Sequence, residues 1–114
     1  MSYSLDEVYT YVPEKPKDFK KEKDTYPYFK RIIGFEEGFK IYSPVLRGLP
    51  DFIVTEKRLK EVEAGGFEVK FENNTLRPSQ ISVLSKLTKV MPIYVVNIYR
   101  DGKAIFRRLT LTDD

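Results

Sequence analysis

The chain of 114 residues contains no cysteine and no histidine. Without cysteine there is no disulfide framework, no thiolate zinc site and no cysteine nucleophile. Without histidine the commonest general base is missing, and with it the Ser-His-Asp triad, the H-E-x-x-H zinc site and every imidazole ligand. Long apolar runs are missing as well: the longest nearly apolar stretch, Val90 to Val96, is far too short to span a bilayer. Asp6 and Glu7 stand where a signal peptide would be positive, and no apolar segment follows. An intracellular protein, cytoplasmic or in the host cytoplasm if viral, is the expectation. What chemistry remains must use carboxylates, Lys, Tyr, Ser or Thr, and any metal involved would be a hard one such as magnesium.

The rest is enough for one domain. Hydrophobic residues make up 41% of the chain and charged residues 32%, so a core can form and disorder is not indicated. Eight Phe and eight Tyr supply large apolar area to a small fold. The net charge of +3 is unevenly spread. Residues 77–114 hold seven basic and three acidic side chains, a net of +4, leaving −1 on residues 1–76. The last third is a candidate anion-facing surface, and Arg77, Lys86, Arg100, Lys103, Arg107 and Arg108 are its candidate nucleic-acid contacts. Six of the eight Tyr lie within residues 1–42, where they either pack or stack on unpaired bases.

The N-terminal part reads differently from the rest. Val8, Tyr9, Tyr11 and Val12 fit a short helix or a strand equally well, and residues 13–24 (PEKPKDFKKEKD) have the composition of an exposed connector or arm. Residues 1–25 are accordingly set apart from a domain over 26–114. Residues 28–33 predict a helix stopped by Gly34 or Gly38. Phe39 to Tyr42 alternates as a strand that Pro44 confines to an edge or an end. Phe52-Ile53-Val54 predicts a buried strand. Glu56 to Glu63 reads as a helical turn or an outer strand, broken by Gly65-Gly66. Phe67 to Glu72 alternates without exception, with Phe67, Val69 and Phe71 on one face and Glu68, Lys70 and Glu72 on the other. After a turn at Asn73-Asn74, residues 78–89 predict a helix with Ile81, Val83, Leu84, Leu87 and Val90 on one stripe. Ile93 to Tyr99 and Ala104 to Leu111 are strands joined by the hairpin signal Asp101-Gly102. The order implies an α/β or α+β fold, a mixed sheet flanked by helices.

One constellation carries chemistry. Asp51 enters one strand, and Glu68 and Lys70 share a face of the next, with sixteen residues between Asp51 and Glu68. If the two strands pair as a hairpin, the carboxylates converge at one end of the sheet. With the main-chain carbonyl of Val69 they make an all-oxygen set suited to magnesium. Lys70 is placed to assist an attacking water or to stabilise charge developing on a phosphate.

Pro50-Asp51 followed by Glu68-Val69-Lys70 resembles the motif of the PD-(D/E)XK nucleases. With Gly48-Leu49-Pro50-Asp51-Phe52-Ile53-Val54, Phe67 and Leu76-Arg77-Pro78-Ser79-Gln80, the chain over residues 38–99 is similar to the VRR-NUC branch and to archaeal and viral Holliday-junction resolvases. The resemblance implies a restriction-endonuclease-like core and a magnesium-dependent endonuclease acting on branched or structured DNA, with manganese able to substitute. It implies that Asp51 and Glu68 bind the metal and Lys70 assists the water, with Gln80 pointing towards the site from the helix start. A homodimer is expected, and neither a membrane nor a nucleotide cofactor. A nuclease-fold module that binds nucleic acid or a host protein without cutting is the alternative. Two features depart from the pattern. Relatives add a Glu from the first helix, for which Glu22, Glu36 and Glu37 compete. They also carry a Ser cap where this chain has Arg77, with Thr75 as the substitute cap and Gln80 bonding backwards.

Overall fold

A computed structural model describes residues 2–34, 41–42, 49–57 and 59–112. Phe39, Lys40 and Pro44 of the expected edge strand lie outside these, as do Glu36, Glu37, Gly38 and Gly48. The described elements are β1 (Ser2–Tyr11), a 3-10 turn (Glu22–Thr25), α1 (Tyr26–Ile32), β2 (Ile41–Tyr42), β3 (Phe52–Val54), β4 (Gly65–Phe71), α2 (Pro78–Leu87), β5 (Ile93–Ile98) and β6 (Ala104–Thr112). Six strands form one mixed sheet in the order β1-β6-β5-β4-β3-β2. Only β4 and β5 run parallel, because α2 carries the chain back between them; every other neighbouring pair is antiparallel.

Strand alternation gives the sheet two different faces. On one, Phe67 and Val69 of β4, Tyr94, Val96 and Ile98 of β5 and Phe106 of β6 meet Tyr28 and Phe29 of α1 in the larger core. Phe29 is the hub, its ring 5.0 Å from Phe52, 5.5 Å from Phe67 and 6.2 Å from Phe106. On the other face, Leu84 of α2 packs with Leu76, Ile93, Val95 and Leu109 in a smaller cluster.

The N-terminal segment is a ten-residue edge strand paired with β6, which resolves the choice between helix and strand. The connector behind it is tied to the hairpin: the Lys17 N–H donates to the Asp101 carbonyl (2.8 Å) and the Phe19 N–H to that of Arg100 (3.0 Å). The tyrosines here pack: Tyr9 on Phe106, Tyr11 on Tyr28 and Tyr26 on Phe52. Tyr3, by contrast, is 44% exposed.

Three further expectations are corrected. Gly65 and Gly66 do not break the chain; they begin β4, where a Cβ on Gly65 would stand 2.1 Å from the Pro92 carbonyl oxygen and one on Gly66 2.8 Å from Pro50. The stretch before them is neither helix nor outer strand but a tight loop closed by a single bridge from Leu59 to Val62. Val90 is not on the buried stripe of α2: it lies beyond the helix end and is 74% exposed.

Candidate active site

The register of β3 and β4 sets Phe52 opposite Phe67. Carried one residue further, it sets Asp51 opposite Glu68, both on the α2 face of the sheet. The Asp51 carboxylate continues the ladder where β3 ends, accepting the Val69 N–H at 2.9 Å. In a strand, the N–H and C=O of one residue point to the same side. The Val69 carbonyl therefore faces the edge that Asp51 occupies.

Glu68 and Lys70 are not on a solvated face: they are 5% and 8% exposed. Gln80, in the first turn of α2, closes over them. Its amide nitrogen donates to Glu68 Oε2 (2.9 Å), while its oxygen accepts from Lys70 Nζ (3.0 Å) and from the Arg77 N–H (3.0 Å). Lys70 Nζ stands 3.6 Å from Glu68 Oε2. Gln80 thus both bonds back to the helix start and points into the site. Arg77 takes the N-cap position, so Thr75, two residues earlier, is not the cap. Gln80 supplies the half of a capping box that accepts the N–H of the cap residue, while the Arg77 side chain has no acceptor to offer the helix in return.

The electrostatics mark a site short of positive charge. Burial, then the negative charge of Asp51, pushes the Glu68 carboxyl up to about 7, against the pull of Lys70 and the Asp51 main chain. Asp51 is raised chiefly by burial, offset in part by the Val69 N–H. Glu22, from the 3-10 turn, raises both carboxyls further. Of the three competing glutamates, Glu22 acts on both carboxyls, and Glu36 and Glu37 lie outside the described residues. Glu22 Oε2 accepts from the Tyr26 hydroxyl at 2.8 Å. Burial, that bond and the charges of Asp51, Glu22 and Glu68 all raise the Tyr26 hydroxyl. Tyr26 is a neighbour the sequence does not reveal, because nothing in Tyr-Pro-Tyr at a helix start distinguishes it from a packing residue.

The donors fit a hard divalent cation. Two carboxylates, both made harder to ionise by burial and Glu68 also by the charge of Asp51, with a carbonyl on the same edge, are relieved by positive charge. Among the described residues no three acidic side chains cluster closely enough to hold an ion by themselves. Asp51, Glu68 and the Val69 carbonyl would need water to complete the shell.

The basic residues sit on two parts of the chain, α2 and the β5–β6 hairpin. Arg77 caps the start of α2 and Lys86 lies within it, both exposed; Lys103, also exposed, and Arg100 sit at the β5–β6 turn. Arg100 lies over the Phe71 ring and has its Nε 3.5 Å from Glu72. Arg107 and Arg108, adjacent on β6, point to opposite faces of the sheet. Across from them on β1 stand Glu7 and Asp6. Arg100, Lys103, Arg107 and Arg108 all lie on the β5–β6 hairpin, with Arg107 and Arg108 on opposite faces of it. No helix is long and apolar enough to cross a membrane among the described residues. Compared with known proteins, the chain matches no family model, no curated protein and no solved structure.

Proposed function

We propose that the protein is a divalent-metal-dependent endonuclease of the PD-(D/E)XK type, hydrolysing phosphodiester bonds in branched or structured DNA. The observation that carries this reading is the convergence of Asp51 and Glu68 across β3 and β4 with Lys70 on the same face. Asp51, Glu68 and the Val69 carbonyl would hold magnesium or manganese. Such an ion, when bound, supplies Lewis acidity to the phosphoryl oxygen and a more acidic water. Lys70, held by Gln80, offers an ammonium to the attacking water or to the charge growing on the phosphate. Gln80 fixes Glu68 and Lys70 relative to each other, so neither needs to reorganise on binding. A homodimer would present two such sites to two strands.

A second reading has its own support. Lys70, Gln80 and Glu68 already satisfy one another, an arrangement that also suits a binding module without catalysis. The two readings separate when four-way junction, flap, duplex and single-stranded DNA are incubated with magnesium or manganese. Wild type should cut at least one of them, and Asp51→Ala should not. Cleavage by both proteins would implicate a contaminant, and binding without cleavage by wild type would favour the module.

A further inference from the structure

Arg107 is set apart from the other basic residues by how it is held. Its Nη1 donates to Asn97 Oδ1 at 3.1 Å. Asn97 is itself immobilised, 6% exposed, its amide nitrogen donating to the carbonyls of Glu72 (2.9 Å) and Asn74 (3.1 Å). Opposite Arg107 on β1, the Glu7 carboxylate accepts from the Thr10 hydroxyl (3.2 Å). Among the described residues Arg107 bonds to Asn97 and to no carboxylate. A guanidinium has five N–H donors in a fixed fork, so four remain after the bond to Asn97.

The sheet register says where that fork stands. Glu68 pairs with Val95, and Val95 pairs with Arg107, so the site carboxylate and the arginine share one row on the α2 face. Two strand spacings separate their backbones, about 10 Å. Asn97, which holds the fork, is the register partner of Lys70. A nucleic-acid strand carries one charge per about 3.4 Å of axis, so it covers this span within a few phosphates.

We infer that Arg107, held in place by Asn97, is the arm that binds a backbone phosphate of DNA flanking the Asp51–Glu68 site. The inference rests on the nucleic-acid reading of that site but not on retained cleavage. The arm is restrained before DNA arrives, which lowers the entropy lost on binding. Among the described residues, no buried amide holds Arg77, Lys86, Arg100, Lys103 or Arg108 in this way.

The test measures binding of labelled four-way junction and duplex DNA in EDTA, where no cutting occurs. Arg107→Gln keeps a donor for Asn97 and removes the charge; Arg108→Gln removes the same charge from the opposite face. Arg107→Gln should weaken binding about tenfold, the loss of one charge-assisted bond, and flatten the salt slope by about 0.9. Arg108→Gln should leave affinity within about twofold, as a position without a phosphate contact. Should Arg107→Gln not fold, Arg107→Lys keeps the charge and should bind more weakly than wild type with an unchanged salt slope. Equal losses in the two glutamine variants, wild-type affinity in Arg107→Gln, or no DNA binding by the wild type would each overturn the inference. Cleavage with manganese is scored separately. A wild type that binds through Arg107 without cutting removes the nuclease reading and leaves the arm. One that cuts equally well with and without Arg107 removes the arm and leaves the nuclease.

Discussion

The two faces of the sheet are built by alternate residues of the same strands, yet they are put to different uses. Towards α1, β4 contributes Phe67 and Val69, both fully buried among aromatic rings. Towards α2 it contributes Glu68 and Lys70, nearly as buried but polar. The first face is held by apolar area and ring packing, the second by a small apolar cluster beside a closed hydrogen-bonded set. A domain of this size tolerates buried ionisable groups on one face because the other supplies the surplus of apolar burial. Stability should therefore depend most on the α1 face, and pH dependence on the α2 face.

The largest effect is expected from Phe29→Ala. Its ring meets Phe52, Phe67 and Phe106, and its side chain is fully buried. Removing such a side chain costs about 3–5 kcal/mol, out of a total of about 5–15 kcal/mol for a domain of this kind. Denaturant unfolding should place Leu84→Ala, the matching deletion on the α2 face, nearer the lower end of the range for such changes. If Leu84→Ala proved the more damaging, the α2 face would be the main core and the contrast would be reversed.

The next effect concerns pH. Glu68 titrates near 7 in the folded chain, against an ordinary value of 4.5. The folded state thus holds a proton that the unfolded state has lost, so stability must fall as pH rises from about 4.5 to about 7 and then level off. Each tenfold difference in proton affinity between the two states is worth about 1.4 kcal/mol. With relaxation around the charge allowed for, the loss is on the order of 2 kcal/mol. Thermal melts between pH 5 and pH 8 in EDTA should show it. Glu68→Gln should flatten the profile and raise the melting temperature at pH 8, because the folded chain no longer confines that charge. The same substitution should abolish cleavage, which separates the cost of the carboxylate from its use. A Glu68→Gln profile as steep as wild type would place the titration elsewhere.

Which of these features can be read from the sequence alone depends on whether the signal is periodic. The strand Phe67 to Phe71, the helix from Pro78, and the hairpin at Asp101-Gly102 each carry a period or a turn residue that local sterics dictate. β1 does not. Leu5 packs on the α2 side whereas Tyr9 and Tyr11 pack on the α1 side, because the register shifts between Glu7 and Tyr9. A bulge reverses the phase of alternation, and a window spanning it shows no period. Gly65 and Gly66 read as a break because their reason, the close approach of Pro92 and Pro50, is a long-range contact. In the site, Asp51, Glu68 and Lys70 are readable from residue type and spacing, and Gln80 only from the resemblance. The burial of the pair is not readable, since it depends on Gln80 at the start of α2 closing over it, and neither is the reach of Glu22 and Tyr26, which depends on how the 3-10 turn lies against the sheet. Arg107 is readable only as one cation among six; Asn97, which singles it out, carries no signal of its own.

The smallest effect tests whether Gln80 joins the two parts of the α2 face. Gln80→Ala frees the Arg77 N–H at an exposed helix end, where water replaces the lost acceptor, so that bond by itself accounts for about 1 kcal/mol, in addition to the bonds lost by Glu68 and Lys70. The more telling change is in the pH profile. The Gln80 amide donates to ionised Glu68, and removing a donor from a carboxylate favours its protonated form. Loss of Gln80 should therefore move the Glu68 titration to higher pH, so that the decline in stability extends further towards the alkaline side than in wild type. Gln80 also accepts from Lys70. Without that acceptor the ammonium is left with Glu68 alone, which would pull the titration the opposite way. A net upward shift means the amide donor is the stronger influence on Glu68. A downward shift means that Gln80 chiefly holds Lys70 off the carboxylate, and that the ammonium is the group it positions.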